Sequence, residues 1–366
     1  MTKNYQIKLT TLTPVHIGSG LSYEPTQFFI DNERCLNLFN TSELLDKLDE
    51  KQLQEFTKIC LDMNYVGMFR FFREKFPASL QCRKVRVAKD IAADYERVLA
   101  MGSQGNQVIN QLELKRTIFN DFQNTAYIPG SSLKGSLKTA WMSKAAVDKR
   151  VTNMRNIRDC ENAVLEGSFS SDPFRFVKIS DLFPGEAGGR LAKTMVLYAT
   201  NHRKNPDRQA DKSSLTVAFE VIMPGNEFVG MANLEQPKGL KSVAKMPAVV
   251  DLEALAKASE GHYFKKLQQE EEMLKKLGCQ PGLVDKVREK SGDKLFKTVF
   301  PLRVGHHSGA EFLTLDGNRQ IKVKKGRQYE IADSATTVWL ASASKRPKTL
   351  NDLAPFGWIL LEFLEG

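Results

Sequence analysis

Apolar and polar positions alternate over residues 5–12, where Tyr5, Ile7, Leu9 and Thr11 share one side, and the spacing predicts a strand. Thr13-Pro14 ends regular pairing, and VHIGSG (15–20) follows, with Gly18 and Gly20 free to turn sharply. Residues 27–38 read as a hairpin turning at Asp31-Asn32. From Thr41 to about Val98 the spacing becomes helical, with Ser42 in an N-cap position, and Met68, Phe71, Phe72 and Phe76 form a stripe of core type. The spacing after Pro129-Gly130 predicts a helix from Ser131 or Ser132, as caps, to about Val147. Leu133, Leu137, Ala140 and Val147 form its apolar stripe, and Lys134, Lys138 and Lys149 face outward. Residues 174–183 alternate as a strand, and residues 214–234 read as two strands around Pro224-Gly225. A long helical pattern covers 251–278 and stops at Gly278. Residues 355–365 form an apolar terminal strand, while GSQGNQ (102–107) and residues 202–214 read as polar loops.

The order strand, helix, strand, strand, helix, strand, with large insertions, is the ferredoxin-like order that RNA-recognition domains share. The expected fold is therefore α+β, a ferredoxin-like or RRM-like core in a single elaborated domain over 1–366. A helical insertion spans about 41–100, and the C-terminal half holds the long helix 251–278 and the strand 355–365. The length of 366 residues and the 42% apolar content allow a large core.

Charge narrows the partners. The chain carries 53 Lys+Arg against 43 Asp+Glu, a net of +10, which favours polyanions. The basic runs are 83–86, 202–204, 322–327 and 345–348, and their number points to RNA contact. No apolar stretch reaches the roughly 18 residues of a membrane helix, and the start has no signal-peptide pattern, so a cytoplasmic protein without membrane contact is expected. The five cysteines are scattered without a CxxC, which argues against a disulfide framework or structural zinc.

Three motifs carry candidate chemistry. Gly130 and Gly135 have Walker A spacing, but Ser136 stands where that motif requires lysine, so an NTPase is excluded. A Gly/Ser-rich turn opening a helix still offers backbone N–H groups to a phosphate, with Lys134 and Lys138 adding charge; an ordinary capped surface helix fits the same residues. RVGHHSGA (303–310) brings Arg303, Gly305, His306, His307 and Ser308 together in a loop that lets a phosphate chain approach, or serves as a turn between strands. Metal binding by the two histidines lacks the carboxylates or HExxH spacing that would accompany it. His16 reads as an RNA contact, a buried hydrogen-bonded ring or a general base. The RNP1 pattern of RRM proteins is absent.

LTPVHIGSG (12–20), YIPGSSLKGSLKTAW (127–141), RFVKISD (175–181), FEVIMPGNEFVG (219–230), PLRVGHHSGA (301–310) and PFGWILLEF (355–363) together resemble the RAMP superfamily, in its order and over nearly the whole chain. The His-containing first loop and the helical insertion look most like the Csm-type subunits that cap one end of the guide-RNA backbone in type III-A CRISPR effectors. The resemblance implies a structural subunit that binds the 3′-side of the guide (crRNA) and supports its maturation in antiviral defence. It implies as partners the repeating backbone RAMP subunit, other Csm-complex subunits and host ribonucleases, with no cofactor. The loop residues His16, Gly18, Arg303, Gly305, His306, His307 and Ser308, and Ser131, Ser132, Lys134 and Lys138 of the helix, would face RNA. In the family a glycine-rich loop often stands immediately before the last strand; here GHHSG lies some fifty residues upstream of it. No position matches the backbone subunit's target-cleaving Asp. The alternative within the family is a metal-independent endoribonuclease that processes repeat RNA, with His16 as its base.

Overall fold

The computed structural model describes residues 2–101, 112–154, 156–167, 171–185, 191–208, 216–235 and 249–365. The opening strand, Thr2–Thr11, buries Tyr5, Ile7, Leu9 and Thr11, as the alternation predicts. It lies inside a six-stranded sheet with the order Phe183–Pro184, Glu227–Glu235, Thr2–Thr11, Trp358–Glu365, Val299–Arg303; Val177–Ile179 also pairs with Glu227–Glu235. Every pairing in this sheet is antiparallel. Several helical segments contribute to its core, two of them bearing on the site. Gly130–Asp148 supplies Leu133, Leu137 and Ala140, and the long segment from Leu252 to Lys276 supplies Leu255, Tyr263 and Leu267.

The long segment is not uniform. Leu252–Ser259 and Lys265–Lys276 are α-helical, and the five residues Glu260–Phe264 between them form a π-turn. Asp251 caps the start by accepting from the Ala254 N–H at 2.8 Å. At the far end Gly278 takes a φ of +82°, its N–H donates to Lys275 O at 3.0 Å, and the Cys279 N–H donates to Leu274 O at 2.9 Å. These two bonds are a Schellman stop, the role that glycine was expected to fill.

A nine-stranded sheet takes most of the other strands. Its path is Gly18–Ser22, Leu114–Thr117, Thr216–Ile222, Thr194–Arg203, Arg83–Val87, Cys35–Leu38, Phe28–Ile30, and Thr337–Ser342 also pairs with Thr194–Arg203. The hairpin 28–38 turns where expected, with the Asp31 carboxylate accepting from the Glu33 and Cys35 N–H groups. Helices Glu50–Leu61, Tyr65–Lys75 and Lys89–Ala100 pack an aromatic core on this sheet through Phe56, Phe69, Phe72 and Tyr95.

Several expectations are corrected. The interval 41–98 is not all helix: Arg83–Val87 is a strand within the nine-stranded sheet. Its short period-2 run, with Val85 and Val87 buried and Lys84 and Arg86 exposed, sits between two helical patterns that mask it. Asn40, not Ser42, caps the first helix, accepting from the Ser42 N–H. Residues 173–176 form a 3-10 turn capped by Asp172, so the strand predicted from Phe174 begins only at Val177. The two strands around Pro224-Gly225 exist but belong to different sheets, because the chain crosses from one core to the other there. Val147 is exposed rather than part of the apolar stripe. The stretch 102–107 and residues 209–214 lie outside the described residues. None of the five cysteines is bonded to another, and among the described residues no helix is long and apolar enough to cross a membrane.

Candidate nucleic-acid interface

His16 follows the opening strand in a segment fixed by reciprocal backbone bonds between Val15 and Ile222. Its ring is 3% exposed, and Nδ1 lies 2.7 Å from the carbonyl oxygen of Glu220. A carbonyl only accepts, so Nδ1 carries the proton and Nε2 the lone pair. Burial depresses the ring's pKa, against the bond to Glu220, which raises it. A Cβ on Gly18 would stand 3.4 Å from Nε2, so the backbone at Gly18 packs beside the buried ring.

The glycine-rich loop docks on this segment. The His306 N–H donates to His16 O at 2.7 Å. Gly305, with φ +84°, comes so near that a Cβ there would be 2.4 Å from the same oxygen. His307 also adopts a left-handed φ, +61°, and its ring lies among Trp339, Phe219 and Phe356 at centroid distances of 4.5, 4.7 and 5.3 Å. Its Nε2 is buried without a hydrogen-bond partner among the described residues. Burial, with help from the rings of His306 and His16, pulls its pKa down to about 3. Ser308 is buried, its hydroxyl 2.7 Å from Gly305 O and 3.1 Å from Val304 O, which closes the turn. His306 is the exposed imidazole of the group.

Arg303 lies elsewhere in the packing. Its side chain is 1% exposed, donates to Phe356 O and to a Glu270 carboxylate oxygen at 2.8 Å each, and stacks near the rings of Phe312 and Trp358. Glu270 is held further by Trp358 Nε1–H at 2.8 Å. The guanidinium therefore neutralises a buried carboxylate and has no face toward solvent.

The helix Gly130–Asp148 starts without a side-chain cap from Ser131 or Ser132. Instead the Asp181 carboxylate accepts from the Gly130 N–H at 2.9 Å, at the positive end of the helix dipole. A side chain at 130 would be 2.3 Å from Ile179 O, so only glycine lets the helix start there. Ser131 is exposed, and Ser132 and Lys134 are half-buried. Lys138 is not a free cation: it pairs with Asp172 at 2.8 Å and Glu161 at 3.7 Å. The Ser136 hydroxyl, 2.9 Å from both Arg303 O and Tyr263 Oη, ties this helix to the strand that leads into the glycine-rich loop. Three segments far apart in sequence thus meet as one junction.

One group was not foreseen. Glu220, 0% exposed, is bonded by Arg83, and the Tyr23 hydroxyl reaches it at 2.5 Å. The Arg83 guanidinium lies 3.7 Å over the Phe119 ring. Burial, then the adjacent carboxylate, raises the Tyr23 pKa. The available signal was the single carboxylate in the otherwise apolar strand TVAFEVI, which demands a buried cation. Thus Arg83, in the first basic run, is bound inside the fold, whereas the runs at 202–204, 322–327 and 345–348 border one cleft. No group of three or more His, Cys, Asp or Glu residues is placed to hold a metal among the described residues.

Comparison with known proteins identifies the family and the fold. The model of the RAMP superfamily matches residues 8–279. Two curated relatives are each described as CRISPR system Cms protein Csm5. That from Methanocaldococcus jannaschii is 23% identical over 193 residues, 48% of this chain and 42% of the relative. That from Enterococcus italicus is 29% identical over 152 residues, 37% of this chain and 42% of the relative. The matched stretches thus span less than half of each relative. Among solved structures, a chain of the Csm–crRNA–target RNA ternary complex of a type III-A CRISPR-Cas system matches with a TM-score of 0.59 and 17% identity, covering 99% of this chain and 100% of that one. The T. onnurineus Csm5 crystal structure matches with a TM-score of 0.53 and 16% identity, covering 96% and 99%. Likeness at these identities is a likeness of fold.

Proposed function

This chain belongs to the RAMP superfamily, and from that premise we propose that it is a structural, guide-RNA-binding subunit of a type III-A, Csm-like ribonucleoprotein. In this reading it caps the 3′-side end of the assembly beside a repeating backbone RAMP subunit. It supports guide maturation by host ribonucleases and needs no cofactor. We read its fold as one elaborated ferredoxin-like domain, with residues 41–100 inserted and interrupted by the strand Arg83–Val87.

The observation that carries the reading is the three-segment junction. Gly305 lets the glycine-rich loop dock on the His16 segment, Gly18 leaves backbone uncovered, His306 offers an exposed imidazole, and the helix anchored through Ser136 presents Ser131, Ser132 and Lys134. Uncovered backbone N–H groups, hydroxyls and cations are what hold a phosphate chain. His16, Arg303, His307 and Ser308 build the junction from within, and Lys138 is shared with Asp172. The test is to pull down the tagged full chain from its native host, sequence the RNA and identify the accompanying proteins. Guides of repeat-spacer type with RAMP partners are expected; bulk cellular RNA or none would sink the proposal.

The nuclease alternative is disfavoured by the position of His16, whose ring is 3% exposed and whose Nδ1 is committed to Glu220 O. A general base must reach the proton that it removes. Repeat-RNA cleavage by the wild type, lost in His16→Ala with RNA binding retained, would restore that alternative.

A further inference from the structure

Three basic segments meet around one open cleft of about 1410 Å³. The strand Thr194–Arg203 brings His202, the hairpin formed by Ile321–Lys325 and Gln328–Ala332 brings Lys322 and Lys324, and the segment after Thr337–Ser342 brings Arg346 and Lys348. Among the described residues no Asp or Glu lines it. Lys345, also on the lining, is held by Asp94 at 2.9 Å. Lys322, Lys324, Arg346 and Lys348 are exposed and have no carboxylate partner among the described residues. Gathering unpaired like charges raises the energy of the isolated chain, and a polyanion in the cleft reverses the sign of that term.

The hairpin narrows the class of polyanion. It forms a two-stranded sheet of its own, in which Lys322 stands opposite Ile331 and Lys324 opposite Tyr329. Directly opposed residues share a face, so one face carries both lysines, Ile331 and the ring of Tyr329. Tyr329 is 67% exposed and Ile331 59%. Cations interleaved with an uncovered ring suit a single strand, whose phosphates meet the charges and whose unpaired bases stack on the ring. A duplex keeps its base faces covered.

We infer that the cleft and its hairpin bind single-stranded RNA, gripped through its phosphates and by stacking on Tyr329, without selecting a base sequence. The inference rests on the reading of the chain as an RNA binder and adds a second station, separate in its residues from the His16–Gly305 junction.

The experiment uses the full chain, purified free of RNA. It is titrated with labelled single strands of about 16 nucleotides, one of mixed sequence and one of uridines, and with the matching duplex. Titrations run over about 50–200 mM salt. The two single strands are expected to bind alike and more tightly than the duplex. Replacing Lys322, Lys324, Arg346 and Lys348 by alanine should reduce the log–log salt slope by about 3, and Tyr329→Ala should weaken binding at least about fivefold while leaving the slope unchanged. All five side chains are exposed, so melting temperatures should hold. Equal binding by folded variants overturns the inference, and so does tighter binding of the duplex or of a polyglutamate peptide. A wild type that binds no RNA defeats the proposed function as well, whereas a wild type that binds, matched by its variants, removes the cleft alone.

Discussion

A Cβ on Gly305 would stand 2.4 Å from the carbonyl oxygen of His16, and the residue's φ is +84°. An L side chain in that conformation costs about 1–2 kcal/mol before any contact is counted. Gly135 is the opposite case: it is exposed in a helix, with nothing within 4 Å of its added Cβ. Gly305→Ala is therefore expected to lower stability by more than about 1 kcal/mol, and Gly135→Ala to raise it by about 0.5–1 kcal/mol. Denaturant midpoints with unchanged m-values check both, and a neutral Gly305→Ala would refute the close docking of the two loops. His307 supplies a pH test. An unfolded chain protonates this histidine below about pH 6.5, whereas the folded ring stays neutral down to about 3. The neutral ring's contribution is thus complete above the unfolded value and drains away as pH falls toward the folded one. His16 and His306 shift in the same direction. The denaturation midpoint should fall between about pH 7 and 5. His307→Asn, which tolerates the left-handed φ, should start lower but fall less steeply. Parallel curves for the two proteins would exclude His307 as a source of the slope.

Among the elements, the helix Gly130–Asp148 gives the sharpest test of the junction. Lys134 is half-buried with no salt bridge among the described residues, its pKa lowered chiefly by burial, while Lys138 is paired with Asp172 and Glu161. Lys134→Ala should leave stability within about 0.5 kcal/mol, and adding Lys138→Ala should cost up to about 1 kcal/mol more through the lost pairs. Guide occupancy of the purified complex should fall for both, measured over a salt series; unchanged occupancy would remove this helix from the RNA site. Elements were legible wherever one period ran unbroken. The opening strand, the hairpin turning at Asp31 and the helix stop at Gly278 were all readable in that way. Arg83–Val87 was not, because five residues of period 2 are too few to stand out between helical stripes. Nor was the separation of Thr216–Ile222 from Glu227–Glu235, since Pro224-Gly225 encodes a bend and not the sheet that receives the next strand. In the candidate site, the loop residues and the helix were readable as motifs, but the burial of Arg303 depends on Glu270, which lies 33 residues away in the chain. Likewise, the basic runs gave charge without giving their convergence.

For the whole molecule, the decisive arrangement is that both cores are closed by segments from opposite ends of the described chain. Thr2–Thr11 lies between Glu227–Glu235 and Trp358–Glu365, with Tyr5 opposite Glu365. Phe356 joins one core and Trp358 the other. Pairings this distant in sequence make folding slow, because the entropy of closing the loop precedes the contacts that reward it. They also set a clock during synthesis. At about 5–20 residues per second, the closing strand leaves the ribosome roughly 20–70 s after the opening one. For that interval the edge of Thr2–Thr11 that will receive Trp358–Glu365 is uncovered, and an unpaired apolar edge is a template for aggregation. Chains halted after Glu235 on a ribosome, with a linker holding them clear of it, should give no protease-resistant core; chains extended through Glu365 should. A resistant fragment from the shorter chain would show that the first 235 residues fold without waiting. If they do wait, the yield of soluble protein depends on how long the nascent chain can be shielded, and slower translation should lower that yield rather than raise it.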